Sequence, residues 1–285
     1  MKLLTTFCLI FFIFFCSGDG KVNAGELNQR LKNFPQWEKL HDLQPAVGDL
    51  IYPEWIKGEW LVKSILLDLV APLAPDIVTP GFESNRQYLN QPVSFKVKFV
   101  NQQTLISASG NTVPTKNLTP YYRTPLSLKT EEGVPVILTE RKKIIADRAY
   151  NGLNLARAIL GDDVVKAVKV DPDSPNRQIT FLRGDRQLVT IVKSRATETT
   201  ADGRFITTEV FQQLFKGGSR PYLNSVESTT AYRPLFTSVT SNPAIEANQV
   251  TAVYLSSQDP DYFKAVNKPV ALYRYQLEFF PIGRD

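Results

Sequence analysis

The feature that most constrains the fold is a succession of strand-length segments in which apolar and polar side chains alternate. In the clearest of them, residues 93–99, Val and Phe occupy one face, while Ser94, Lys96 and Lys98 occupy the other. A period of two is typical of a strand with one buried and one solvated face. Ten segments are interpreted as strands: 58–68, 93–99, 135–145, 164–170, 178–183, 187–193, 204–215, 226–236, 249–256 and 270–280.

Between these segments the chain carries turn signals and little helix. Gly184-Asp185-Arg186 separates two strands and predicts a hairpin. Residues 149–160 have apolar side chains at helical spacing, and Gly161 stands where a helix ends. The pattern therefore predicts a mainly β fold: a single antiparallel, closed or nearly closed barrel of about eight to ten strands with one short helix. A barrel of this size leaves room for a small cavity.

The N-terminus has the order of parts of a secretory signal peptide. Lys2 precedes an apolar run over residues 3–16, and Val-Asn-Ala at 22–24 matches a cleavage site. The run is shorter than the ~20 residues of a bilayer-spanning helix. We expect an exported protein in which residues 1–24 are removed, 25–50 form an N-terminal arm and 51–285 form the barrel domain. An uncleaved anchor and lipidation at Cys16 are the alternatives.

Cleavage leaves a chain with little catalytic chemistry. Cys8 and Cys16 both lie in the removed segment, and His41 is the single histidine. Thiol nucleophiles and Cys or multi-His metal sites are thereby excluded, and a Ser-His-Asp triad would have to use His41. The basic residues are not clustered, which argues against nucleic-acid binding. We expect a non-enzymatic protein without cofactor or metal, and paired carboxylates leave an enzyme open as an alternative.

The densest polar cluster, Asp-Arg-Ala-Tyr-Asn-Gly at residues 147–152, lies where a strand meets the predicted helix. In a structural interpretation, Asp147 caps the helix and Arg148 pairs with a carboxylate or covers Trp60. In a functional interpretation, polar residues here fix the head of a ligand and inward-facing apolar residues line the cavity. The candidate ligand-binding residues are Trp60, Phe95, Phe99, Arg148, Tyr150, Asn151 and Arg177.

A second unusual segment is the loop at residues 71–82. It has three prolines with apolar residues between them, and a loop this apolar should not lie in water. It either packs over the barrel mouth as a lid or docks onto a membrane or a protein partner.

The sequence Ile-Lys-Gly-Glu-Trp at residues 56–60 resembles the Gly-x-Trp entry of lipocalin-like barrels. In that family the Trp packs across the closed end of the barrel, often against an Arg. The resemblance implies this role for Trp60, with Arg148 or Arg274 as its partner.

A wider resemblance rests on three segments: residues 71–100 (APLAPDIVTPGFESNRQYLNQPVSFKVKFV), residues 147–161 (DRAYNGLNLARAILG) and PNRQ at 175–178. They are similar to a domain family of unknown function from cyanobacteria and plant plastids, over roughly residues 51–280. The resemblance implies the thylakoid lumen or the periplasm as the compartment and brings no reaction with it.

Three hypotheses follow. The favoured one is a non-enzymatic binding protein that holds or delivers a hydrophobic small molecule, a lipid or pigment, in the barrel cavity. The second is a lumenal assembly or accessory factor that binds a photosynthetic membrane complex, with peripheral membrane contact through residues 71–82. The third is an enzyme based on carboxylates.

Overall fold

A computed structural model describes residues 25–39, 43–107, 136–171, 173–218, 221–235, 242–266 and 268–283. The predicted signal peptide (1–24) and His41 lie outside the described residues.

Ten long strands form one antiparallel sheet, and each corresponds to a predicted strand. Their order across the sheet is β4-β3-β2-β11-β10-β9-β8-β7-β6-β5, and a two-residue strand, β1, pairs with β7 at the side. The bounds are β1 Gln44–Pro45, β2 Gly58–Val70, β3 Pro92–Ser107, β4 Val136–Ala146, β5 Val165–Asp171, β6 Ser174–Leu182, β7 Gln187–Thr199, β8 Phe205–Lys216, β9 Tyr222–Pro234, β10 Ile245–Leu255 and β11 Ala271–Pro281.

The sheet curls into a half-barrel, which confirms the predicted mainly β, antiparallel, barrel-like fold. Its helices are short: α1 Glu26–Lys32, α2 Phe82–Asn85, α3 Arg148–Leu160 and α4 Tyr262–Ala265. Helix α3 is the helix predicted at residues 149–160. It connects β4 to β5, the two edges of the sheet, and packs against β3 and β5, so that it lies across the opening between them.

One part of the interior is filled by aromatic rings, here called the aromatic cluster: Tyr52, Phe99, Phe205, Tyr232 and Phe279. Tyr52 lies at its centre, with ring centroids 4.8 Å from Phe99 and 5.8 Å from Phe205. It comes from the segment that follows β1 and bridges to Ile144 of β4. The segment therefore crosses this end of the half-barrel and closes it with apolar side chains.

Elsewhere the interior contains a buried ion pair. Arg195 on β7 lies opposite Glu209 on β8, with 2.9 Å between Nε and Oε1. Arg195 also donates from Nη2 to Asn176 Oδ1 at 2.6 Å. Polar side chains thus point inward from strands that also carry the apolar core.

The N-terminal arm covers the outer face of the sheet. Leu27 packs there against residues of β7, β8 and β9, and Trp37 packs against β10 and β11. Arg30 fixes the arm by a two-point ion pair with the buried Glu227 of β9, at 2.8 and 2.9 Å. Both faces of the central strands are consequently buried.

Candidate functional site

An open cleft of about 820 Å³ lies where helix α3 begins, between β2, β3, β4 and the β5–β6 hairpin. Its apolar lining consists of Phe99, Val100, Ile145, Ala146, Ala149, Val170 and Pro175. Three cationic and three acidic residues also line it, namely Lys57, Lys98, Arg148, Asp49, Glu59 and Asp147. The three positive and three negative formal charges cancel. The cleft therefore has apolar walls and no net formal charge.

Capping interactions fix the position of helix α3 beside the cleft. The Asp147 side chain accepts from the Tyr150 N–H at 3.1 Å, as the structural interpretation of the polar cluster expected. At the other end, Gly161 has a φ of 93° and its N–H donates to the Arg157 carbonyl at 2.9 Å. Only a residue without a side chain adopts this backbone conformation without strain. The cap at Asp147 therefore places Arg148 and Ala149, in the first turn, on the cleft wall.

Arg148 is buried and joins three parts of the chain. Its Nη1 donates to the Pro175 carbonyl, and its Nε lies 3.7 Å from the Asp49 carboxylate. Burial raises the pKa of the Asp49 carboxyl above its ordinary value, against the opposing effects of Arg148, Gln102 and Arg195. Arg148 thus connects α3 to the β5–β6 hairpin and to the segment that closes the barrel end.

Tyr150 and Glu59 form a polar pair at the edge of the cleft. The Tyr150 hydroxyl donates to Glu59 Oε1 at 2.8 Å. Burial raises the pKa of Tyr150 to about 12, and the hydrogen bond to Glu59 and its negative charge act in the same direction. Lys98 Nζ lies 6.0 Å from the centre of the Tyr150 ring. Both members of the pair have a defined partner at neutral pH.

Asn151 is fully buried and continues the sheet where β4 has ended. Its Oδ1 accepts from the Lys98 N–H at 2.6 Å, and its Nδ2 donates to the Lys98 carbonyl at 3.1 Å. The last pair of the β3–β4 ladder is Phe99 with Ala146, so Lys98 is the next residue on β3. The Asn151 amide takes the place of a strand there and attaches α3 to the edge of the sheet.

The predicted ligand-binding residues divide into two groups. Arg148 and Phe99 line the cleft, and Tyr150 and Asn151 contact its lining residues Glu59 and Lys98. The remaining three do not line it.

Trp60 and Phe95 belong to the buried core. The Trp60 indole N–H donates to the Ile56 carbonyl at 2.8 Å, and its ring packs edge-on against Phe279. Arg177 pairs with Asp171 at 2.7 Å on the outer side of the hairpin, because it alternates with the inward-facing Gln178. Arg274, the other partner considered for Trp60, lies over Phe34 of the arm.

Sequence reasoning missed Asp49, Lys57, Glu59 and Lys98 as cleft residues. Glu59 and Lys98 face each other across β2 and β3, and that pairing depends on strand register. Asp49 reaches Arg148 across about a hundred residues of chain. Of these four residues, only Lys57 and Glu59 could have been identified from the sequence, because they flank Gly58 at the start of a predicted strand.

The described part of the chain contains neither a cluster of metal-ligating side chains nor a membrane-spanning helix. Within those residues, no three His, Cys, Asp or Glu side chains come together as a candidate metal site. Among the described helices, none has both the length and the apolar character needed to cross a bilayer.

The fold and the cleft define a class of protein: an antiparallel β half-barrel whose opening is crossed by a helix with an amphipathic cleft at its start. The family described as Domain of unknown function (DUF6816) matches residues 45–119 and 128–283. The match covers more than half of the chain, which therefore belongs to this family, and the prediction of a domain family of unknown function is confirmed. No curated protein and no solved structure matches the chain.

Proposed function

We propose that this protein binds a small amphipathic molecule in the cleft beside α3. The observation that carries the proposal is the open volume of about 820 Å³ with apolar walls and balanced charges. Ligand sites are usually concave, mostly apolar and equipped with a few polar groups that fix orientation. The barrel-like fold is compatible with this role.

The role is binding and not catalysis, because the carboxylates of the cleft already have partners. Asp49 pairs with Arg148, Glu59 accepts from Tyr150 and Asp147 caps α3. A general acid or base has to reach the group it protonates or deprotonates. These three carboxylates instead hold the protein's own elements in place.

The ligand we propose is a lipid or pigment, and the protein acts after export to the thylakoid lumen or periplasm. The signal-peptide pattern at residues 1–24 and the resemblance to proteins of cyanobacteria and plastids support the compartment. The apolar walls support the ligand class, since burial of apolar surface is the main favourable term in binding such molecules. An intact mass that begins at Gly25 would test the export step.

Native mass spectrometry on protein purified from its own host tests the binding role. Ala149→Trp fills the cleft from the first turn of α3, whereas Ala158→Trp places the same ring on an exposed position of the same helix. We expect an added mass on the wild type and on Ala158→Trp that is lost with Ala149→Trp. A bare polypeptide mass for all three proteins would contradict the proposal.

The second candidate function, docking at a membrane, is favoured by exposed apolar side chains at the opposite end of β2. Phe263 is 85% exposed and Val266 is 66% exposed, both at helix α4. In the neighbouring loop at 71–82, Leu73 and Ile77 pack against the core, and Val78 is exposed. We propose that this end makes the peripheral contact with the photosynthetic membrane, chiefly through Phe263 and Val266.

Membrane co-fractionation from the host tests the second candidate. We expect Phe263→Ser with Val266→Ser to release the protein from the membrane fraction. Leu61→Ser, at a partly exposed position on the side of β2, is the matched control and should leave the distribution unchanged. Retention of the double variant at the membrane would exclude this surface.

A further inference from the structure

Four polar residues lie side by side on the inner face of the half-barrel, here called the polar row: Gln178, Thr190, Gln213 and Asn224. In the register of the sheet, Gln178 is opposite Thr190, Thr190 is opposite Gln213, and Gln213 is opposite Asn224. Residues directly opposite each other on adjacent strands have Cβ atoms about 5 Å apart on the same face. All four are at most 1% exposed.

The polar row is short of hydrogen-bond partners. Both amide atoms of Gln178, Gln213 and Asn224, and the Thr190 hydroxyl, have no partner among the described residues. Leaving a buried donor or acceptor unsatisfied costs its full desolvation free energy, and folded proteins rarely contain such groups. Several unsatisfied groups in one contiguous row indicate a site that forms hydrogen bonds with a bound molecule.

The row begins at the wall of the cleft. Val170, which lines the cleft, is directly opposite Gln178 on the neighbouring strand. On α3, Gly152 follows one helical turn after the cleft residue Ala149. A Cβ atom at Gly152 would lie 2.8 Å from the Gln178 Nε2, so the glycine allows the Gln178 amide to lie directly beneath the helix.

The chemistry of the row points to an uncharged group. None of its four side chains carries a charge, and the inward-facing Arg195 and Glu209 already neutralise each other. Burying an unpaired charge beside neutral amides would be strongly unfavourable. An amide offers both donors and acceptors, which match a hydroxyl or another amide.

We propose that the ligand of the cleft is uncharged and carries hydroxyl or carboxamide groups at one end, which bind the polar row beneath α3. This inference rests on the proposed binding function and adds the chemical class of the ligand's head group. The apolar body of the molecule then lies along the cleft wall at Phe99 and Val170. Helix α3 covers the bound head group.

Three probes with the same chain separate the alternatives: monoolein has a neutral hydroxyl head, methyl oleate has no hydroxyl, and oleate is anionic. Each is titrated into delipidated protein from the host, below its aggregation concentration, with tryptophan fluorescence as the readout. We expect monoolein to bind about tenfold more tightly than methyl oleate, as one or two added hydrogen bonds provide. We expect oleate to bind more weakly than monoolein.

Two variants test whether the polar row causes the preference for monoolein over methyl oleate. Thr190→Val with Gln213→Leu should bind monoolein and methyl oleate with equal affinity. Gly152→Ala is the second variant, because the new Cβ displaces the Gln178 amide while alanine favours the helix. The Val168 Cγ1 atom, 3.2 Å from the new Cβ, also has to shift. The variant should reduce the preference for monoolein and lower the melting temperature by at most about 2–4 °C.

The outcomes separate the inference from the proposed function. Equal binding of monoolein and methyl oleate to the wild type overturns the inference and leaves the binding role intact. Tighter binding of oleate overturns the uncharged head group. If both variants still prefer monoolein to methyl oleate, the polar row is not the cause of the preference. If none of the three probes binds, the proposed function and the inference are both overturned.

Discussion

The aromatic cluster and the polar row lie on the inner face of the same sheet and differ in what their burial does. The rings around Tyr52 touch one another, so their burial stabilises the fold through area and ring contacts. The amides of the polar row are equally buried but have no described partners, so their burial costs free energy. This difference is what we expect if one part of the interior stabilises the fold and the other binds the proposed ligand.

The largest expected effect is in the aromatic cluster. Phe279 is fully buried against Tyr232, so Phe279→Ala should lower the free energy of unfolding by about 3–5 kcal/mol, through lost burial and the cavity left behind. Urea denaturation of the purified variant measures it. A loss below about 1 kcal/mol would show that the cluster contributes far less than its packing suggests.

Breaking the buried ion pair should cost nearly as much. Glu209→Leu leaves the Arg195 guanidinium buried without its carboxylate, which should lower the free energy of unfolding by about 3 kcal/mol. Adding Arg195→Met should restore most of that loss, because the uncompensated charge is then gone. If the double variant is no more stable than Glu209→Leu, the penalty does not come from the unpaired charge.

In the polar row, a substitution that removes a buried polar group should not lower the free energy of unfolding. Thr190→Val removes a buried hydroxyl without a described partner and keeps the shape of the side chain. In ligand-free protein we expect the free energy of unfolding to stay constant or rise by up to about 1 kcal/mol. The same urea experiment measures the change, and a clear loss of stability would mean that the hydroxyl is satisfied within the protein.

The smallest expected effect is on the pH dependence of the free energy of unfolding, through Tyr150 at the edge of the cleft. The folded-state pKa of Tyr150, about 12, lies above the ordinary value of 10, so the folded protein holds the phenolic proton more tightly than the unfolded chain. This contribution is complete below pH 10 and is lost as the pH rises towards 12. Urea unfolding at about pH 8 and about pH 11 should show a smaller decline for Tyr150→Phe than for the wild type. Equal declines in both proteins would exclude Tyr150 as the source.

The strands and helix α3 could be predicted because alternation is clean over residues 93–99 of β3, β2 starts with alternation before it becomes apolar, and Gly161 marks a helix end. The polar row could not be predicted from the sequence, because both faces of the central strands are buried. From Val226 to Tyr232 every residue of β9 is buried, so polarity no longer distinguishes inside from outside. One signal was available: Gln213 lies between Phe211 and Phe215 at a period of two, which places it on their face.

The candidate site was predictable in part. The cluster at residues 147–152 identified the start of α3, because a polar run before an amphipathic helix marks a cap. The same alternation that turns Gln178 inward turns Arg177 outward, and this could have been read from the sequence. Contacts such as Arg148 with Asp49 depend on how the chain crosses the barrel end, which local patterns do not encode.

In the complex that we propose, a small amphipathic molecule lies in the cleft beside α3 with its head group at the polar row. A crystal structure of the protein isolated from its own host, at a resolution that shows ordered water, tests it most directly. We expect continuous ligand density from Phe99 and Val170 to hydrogen-bonding distance from Gln178 and Gln213. A cleft that contains solvent alone, with the amides of the polar row bonded to one another, would contradict it.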